Sequence, residues 1–172
     1  MKYFVTGEKN VGKTYLVEKI KPLVNVKGFE TRFEPEGQRL FLHFLNGLSF
    51  MIGERNSGRL RIIEEGFKEA ARELGTMEIP ESCFLIMDEI GYLEEESPEF
   101  QQAVVAAIRR SKNCICVLRK GNYSFIDHLK RSMGIRSVEL TVDNRDEILN
   151  RLLREVEKER TNTSSPGGDE GI

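Results

Sequence analysis

The chain has 172 residues, of which 39% are hydrophobic and 31% charged, with a formal net charge of −2. That length can bury one substantial core, and the mixture excludes a collagen-like, low-complexity or wholly disordered protein. No stretch is apolar over the ~20 residues a membrane helix requires, and the small net charge offers no bulk attraction for nucleic acid or anionic lipid.

Taken in order, the first element is the short β-type run Met1 to Thr6, too brief for a signal peptide, so a cytoplasmic protein with no membrane or nucleic-acid partner is expected. A turn follows, and then a helix from Lys13 to about Ile20, with Leu16, Val17 and Ile20 on one side and Pro22 just past its end. Between Val24 and Gly53 the pattern changes to short β-like runs, VKGFETRFE, RLFLHFL and LSFMIG, separated by the turn chemistry EPEG and NG. This reads as a small β-rich insertion over residues 24–53. The stretch GERNSGRLR then carries Arg55, Arg59 and Arg61, and suits either a solvated turn into a helix or an arginine-bearing lid.

Ile63, Phe67, Ala70, Ala71 and Leu74 form a helical stripe. After Pro80 the run CFLIM, Cys83 to Met87, is continuously apolar, as a strand covered on both faces should be. Ser97-Pro98 opens the next helix, with Phe100, Ala103, Val104, Ala107 and Ile108 as its inner stripe. NCICVL is another buried strand, a helix spans Phe125 to Ser132, and SVELTV is the last strand. Asn144 and Glu147 have capping-box spacing for a final helix running to about Arg160. Residues 161–172 have no periodicity and read as a disordered tail after a domain over residues 1–160. Strands alternating with helices predict an α/β fold, a mostly parallel sheet with helices on both faces. Cys83, Cys114 and Cys116 lie inside apolar runs and read as reduced core thiols; Cys114 and Cys116 share a strand face, but with two distant histidines they are too few for a four-ligand metal site.

Chemistry concentrates in GEKNVGKT, Gly7 to Thr14, which matches G-x-x-x-x-G-K-[ST] between a strand and a helix. There the backbone N–H groups of Gly7, Glu8, Lys9, Asn10, Val11 and Gly12 can face inward as a nest for phosphate oxygens, helped by the helix N-terminus. Lys13 would reach the β- and γ-phosphates and Thr14 would bind Mg²⁺. The second metal anchor is Asp88, at the end of the apolar strand, and the adjacent Glu89 can orient and deprotonate an attacking water. Glu94, Glu95 and Glu96 read as a solvated face. An acid directly after the metal-binding acid is the habit of P-loop ATPases in which one further strand separates the two motifs. NCICVL would be that strand, making Arg119 the candidate sensor of transition-state charge, followed by Lys120. TVDNRDE loosely matches the guanine-reading N-K-x-D loop, with Arg145 for lysine and Glu147 for aspartate, but a helix cap explains Asn144 and Glu147 completely and is the preferred reading, with base contact left open.

TGEKNVGKTYL, MDEIGYLEEESPEF and TVDNRDEIL, in this order and spacing, resemble the P-loop nucleoside-triphosphatase family of thermophilic archaea and bacteria, to which a human cancer-related nucleoside-triphosphatase is related. The likeness runs over about Met1 to Leu153 and includes a GF element, here Gly28-Phe29. The P-loop interior Glu8-Lys9-Asn10 departs from the family's glycine-rich habit, and Tyr15 stands where the family commonly has threonine. The resemblance implies slow, Mg²⁺-dependent hydrolysis of ATP, GTP and other nucleoside triphosphates with weak base preference. A nucleotide or small-molecule kinase and a nucleotide-gated partner-binding module are the alternatives.

Overall fold

The computed structural model describes residues 1–164. One eight-stranded sheet runs through the molecule in the order β5-β4-β3-β2-β6-β7-β1-β8. Strands β1 (Lys2–Gly7), β2 (Asn25–Phe33), β6 (Cys83–Ile90), β7 (Asn113–Leu118) and β8 (Arg136–Leu140) are parallel. Strands β3 (Arg39–Phe44), β4 (Ser49–Asn56) and β5 (Arg59–Ile62) continue from β2 as an antiparallel meander. The β-rich segment is therefore an extension of the main sheet. It also runs beyond Gly53: GERNSGRLR forms the β4–β5 hairpin rather than a solvated turn or lid, turning at Ser57 and Gly58 with both φ positive.

Helices α1 (Lys13–Ile20) and α5 (Arg145–Ser164) cover one face, where Leu16, Val17, Ile20, Ile148, Leu152 and Val156 meet Tyr3, Val5, Phe84, Ile86, Ile115 and Val117. Helices α2 (Glu64–Thr76), α3 (Pro98–Arg110) and α4 (Ser124–Ser132) cover the other. Alternation along each strand sends successive residues to opposite faces, and both faces are covered, so Cys83 to Met87 of β6 and Cys114 to Leu118 of β7 are continuously apolar. Phe29, Phe67 and Phe100 form the aromatic centre of the second core, with ring centroids 5.7 Å apart for Phe29–Phe100 and 5.2 Å for Phe67–Phe100. Gly28 explains the GF pair: its φ is 116°, and a Cβ there would lie 1.8 Å from Ile86 O, so only glycine lets β2 approach β6 this closely.

Helix α5 continues past the expected end at Arg160 to Ser164, and the expectation of disorder for the remaining residues falls outside the described part of the chain. The three thiols are free and buried, with Cys114 and Cys116 sulfurs 3.2 Å apart in the core. Among the described residues no cluster of potential metal-ligating His, Cys, Asp and Glu occurs, and no helix is long and apolar enough to cross a membrane.

Candidate active site

Strand β1 and helix α1 hold the loop from Gly7 to Gly12 at the C-terminal edge of the parallel strands, where open α/β sheets bind ligands. Gly7 has φ 146°, and a Cβ would come 2.4 Å from Leu140 O, so glycine is what lets the loop turn beside β8. Asn10, at φ 65°, takes the left-handed conformation that asparagine tolerates better than most residues. Lys13 is buried, and its ammonium donates to Gly7 O at 2.8 Å and Glu8 O at 2.7 Å, folding the side chain back over its own loop.

Strand β7 lies between β1 and β6, the strand order anticipated for the acid-after-acid class. It brings the end of β6 opposite the loop, so that Asp88 is buried beside Thr14. Burial pushes the Asp88 carboxyl up to about 6; Thr14 opposes this, Glu89 and Glu30 reinforce it, and Lys21 counters it. Glu89 follows through a cis peptide, with its side chain about one-third exposed. Arg119 leaves the end of β7 with its N–H bonded to Ile90 O at 2.9 Å. Its guanidinium lies 3.9 Å from Glu89 Oε1 and 5.2 Å from the centre of the Tyr92 ring. Lys13 and Thr14 of the phosphate loop, Asp88, Glu89 and Arg119 thus gather at one end of the sheet.

Several neighbours of this cluster were not evident from the sequence. Glu30, opposite Asp88 in the β2–β6 register, is buried and paired with Lys21 and with Arg32 at 2.7 Å. Lys120 bridges Glu8 at 2.9 Å and Glu139 at 2.7 Å, and these two carboxylates hold its ammonium above the usual lysine range. The acid inside the phosphate loop is therefore countered by a lysine in the loop that follows β7. Glu94 and Glu95 correct the solvated-face reading. Glu94 is 2% exposed and accepts from Gly91 N–H, while Glu95 accepts from the Ser124 hydroxyl and Phe125 N–H at the start of α4. Only Glu96 of the three lies open to solvent.

Asn144 does not form the predicted capping box. Its Oδ1 accepts from Thr141 N–H at 2.8 Å and its Nδ2 donates to Glu139 O at 3.0 Å, so the side chain closes the turn leaving β8. Arg145, the first residue of α5, flanks the phosphate loop: its Cδ lies 3.8 Å from where a Gly12 Cβ would be. Both amide groups of Asn144 are thus committed to the protein.

A nucleotide-phosphate loop at the end of the first strand, a buried acid facing its threonine, and a second acid beside that define a P-loop NTPase. The chain belongs to the NTPase family, whose model matches residues 2–153. It is 26% identical to nucleoside-triphosphatase THEP1 of Thermotoga petrophila, over 98% of this chain and all of that protein. The crystal structure of THEP1 from Aquifex aeolicus superposes with a TM-score of 0.69 at 25% identity, covering 91% of this chain and 99% of that one. The solution structure of a human cancer-related nucleoside triphosphatase shares the fold, with a TM-score of 0.74 at 20% identity over 91% and 97% of the two chains.

Proposed function

We propose that this chain hydrolyses nucleoside 5′-triphosphates to diphosphate and phosphate in a Mg²⁺-dependent reaction. The observation that carries the reading is the burial of Asp88 at the end of β6, where Thr14 of the phosphate loop lowers and burial raises its proton affinity, with Glu89 next in sequence. The triphosphate enters the loop's backbone N–H nest, and Lys13 exchanges the carbonyls of Gly7 and Glu8 for phosphate oxygens. Thr14 and Asp88 are an oxygen-only donor pair of the kind a hard cation prefers, and a carboxylate desolvated by burial gains from a cation beside it. When bound, Mg²⁺ supplies charge neutralisation for the phosphate oxygens. Glu89 accepts the proton of the attacking water, and Arg119, beside it, offsets charge that develops on the transferred group.

Base selection is weak in this reading, because the amide of Asn144 is already spent on Thr141 and Glu139 and so does not read a base edge. ATP, GTP and other triphosphates are the expected substrates, in a soluble setting such as the cytoplasm. The decisive experiment measures phosphate release from ATP, GTP, CTP and UTP with Mg²⁺ for the parent, Lys13→Ala and Glu89→Gln. Removing a general base typically costs about 10²- to 10⁴-fold in rate, so Glu89→Gln is expected to keep nucleotide binding and lose turnover by that order. Phosphate loss that requires an added acceptor would replace the hydrolase reading with a kinase.

A further inference from the structure

Glu94 sits in an acidic run, yet its carboxylate is shut away from water. No ion pair engages it among the described residues. Burying an unpaired carboxyl is costly, and this one, pushed up to about 7 mainly by burial, accepts a 2.9 Å hydrogen bond from Gly91 N–H. Gly91 belongs to the turn that directly follows Asp88, Glu89 and Ile90. The other side of that turn is held by Arg119 N–H on Ile90 O. A Cβ at Gly91 would lie 3.6 Å from Arg119 Cδ, 3.7 Å from Glu94 Oε2 and 4.0 Å from Glu89 Oε1. Three functional side chains converge on one small residue.

Glu94 is itself well anchored. Its carbonyl accepts from Gln101 Nε2 at 2.7 Å and from Ser97 N–H at 3.1 Å, which ties it to the start of α3. The preceding Leu93 is buried in the core. The support therefore runs from α3 through Glu94 to Gly91, and from there to the backbone that carries Glu89.

We propose that Glu94 is a positioning residue: by gripping Gly91 N–H it fixes the turn after β6 and so aims Glu89 at the water it activates. This rests on the hydrolase reading above, with Glu89 as the base. Glu94 itself touches neither nucleotide nor water; it restrains the backbone from which Glu89 projects. A base displaced by ~1 Å can lose about 10²-fold in rate without loss of substrate affinity.

The test compares steady-state hydrolysis of Mg·ATP with equilibrium binding of a fluorescent ATP analogue, in the full chain, for the parent, Glu94→Ala, Glu94→Gln, Glu94→Asp, Glu89→Gln and Lys13→Ala. Glu94→Ala is expected to lower kcat roughly 10- to 100-fold, with KM and analogue affinity unchanged. Glutamine presents an amide oxygen to Gly91 N–H, so Glu94→Gln should restore most of kcat. Aspartate keeps the carboxylate but stops a methylene short, so Glu94→Asp should be slow, and it stands in if the alanine chain does not fold. Alanine and aspartate variants as fast as the parent overturn the assignment. So does a KM that worsens in step with the fall in kcat, or a glutamine variant as slow as alanine. A parent no faster than Glu89→Gln removes Glu89 as the base on which the assignment rests, whereas a parent no faster than Lys13→Ala overturns the hydrolase reading itself.

Discussion

Replacing Asp88 by asparagine should stabilise the ligand-free protein while abolishing its activity. The carboxyl is raised from 3.8 to about 6, chiefly by burial. Below pH 3.8 it is protonated in both the folded and the unfolded chain, and folding is not penalised. As pH rises toward 6 the unfolded chain gives up its proton first, so the folded state loses stability; above 6 the loss is constant. At ~1.4 kcal/mol per pH unit the full penalty is about 3 kcal/mol. Asparagine has nearly the same shape, offers an oxygen to the Thr14 hydroxyl, and does not ionise. Thermal unfolding with a chelator should bring parent and Asp88→Asn to nearly equal stability as pH falls to about 4 and below, and leave the variant more stable by about 6–12 °C at pH 8, taking ~2–4 °C per kcal/mol for a chain of this size. Adding Mg²⁺ and nucleotide should raise the parent's midpoint and leave the variant's unmoved. A stability difference that is the same at pH 4 and pH 8, or a variant less stable than the parent at pH 8, would refute the reasoning.

Three further outcomes follow from other contacts. Lys120→Ala leaves Glu8 unopposed in the phosphate loop, so KM for ATP should rise several-fold at low salt with kcat unchanged, and the gap should narrow near 1 M salt, where the screening length is about 3 Å. Phe100→Ala removes the ring shared by Phe29 and Phe67 and should cost about 3–5 kcal/mol in denaturant unfolding. Gly28→Ala forces a Cβ into Ile86 O, and the β2 edge should separate from β6, seen as loss of amide-exchange protection across Asn25–Phe33.

The candidate site draws on signals that are local in the sequence. The P-loop spacing sits between a strand and a helix, and the apolar run CFLIM announces that the acids after it stand at a sheet edge. The position of β7 between β1 and β6 was legible through the Asp88-Glu89 pair alone. What escaped depends on contacts distant in sequence. Nothing in EEES distinguishes a solvated glutamate from one drawn under a turn; that is decided by Leu93 entering the core and Gln101 holding the segment from α3. Arg59 and Arg61 suggested an arginine-bearing lid or a solvated turn, whereas their alternation with Leu60 and Ile62 is the period of a short strand paired with β4. Asn144 had the spacing of a cap, but a nearer donor at Thr141 takes its oxygen.

The two margins of the sheet carry a consequence of their own. An unpaired strand edge is a template for another chain to add itself, and short, charged edges blunt that tendency. Here β5 has four residues and presents Arg59 and Arg61 to solvent, while β8 has five and presents Arg136 and Glu139. An incoming strand at either margin would meet few backbone partners and would have to settle beside fixed charge. The meander that widens the parallel sheet thus also finishes it, and an extension that would otherwise leave the long strand β2 open to association ends instead in a guarded border.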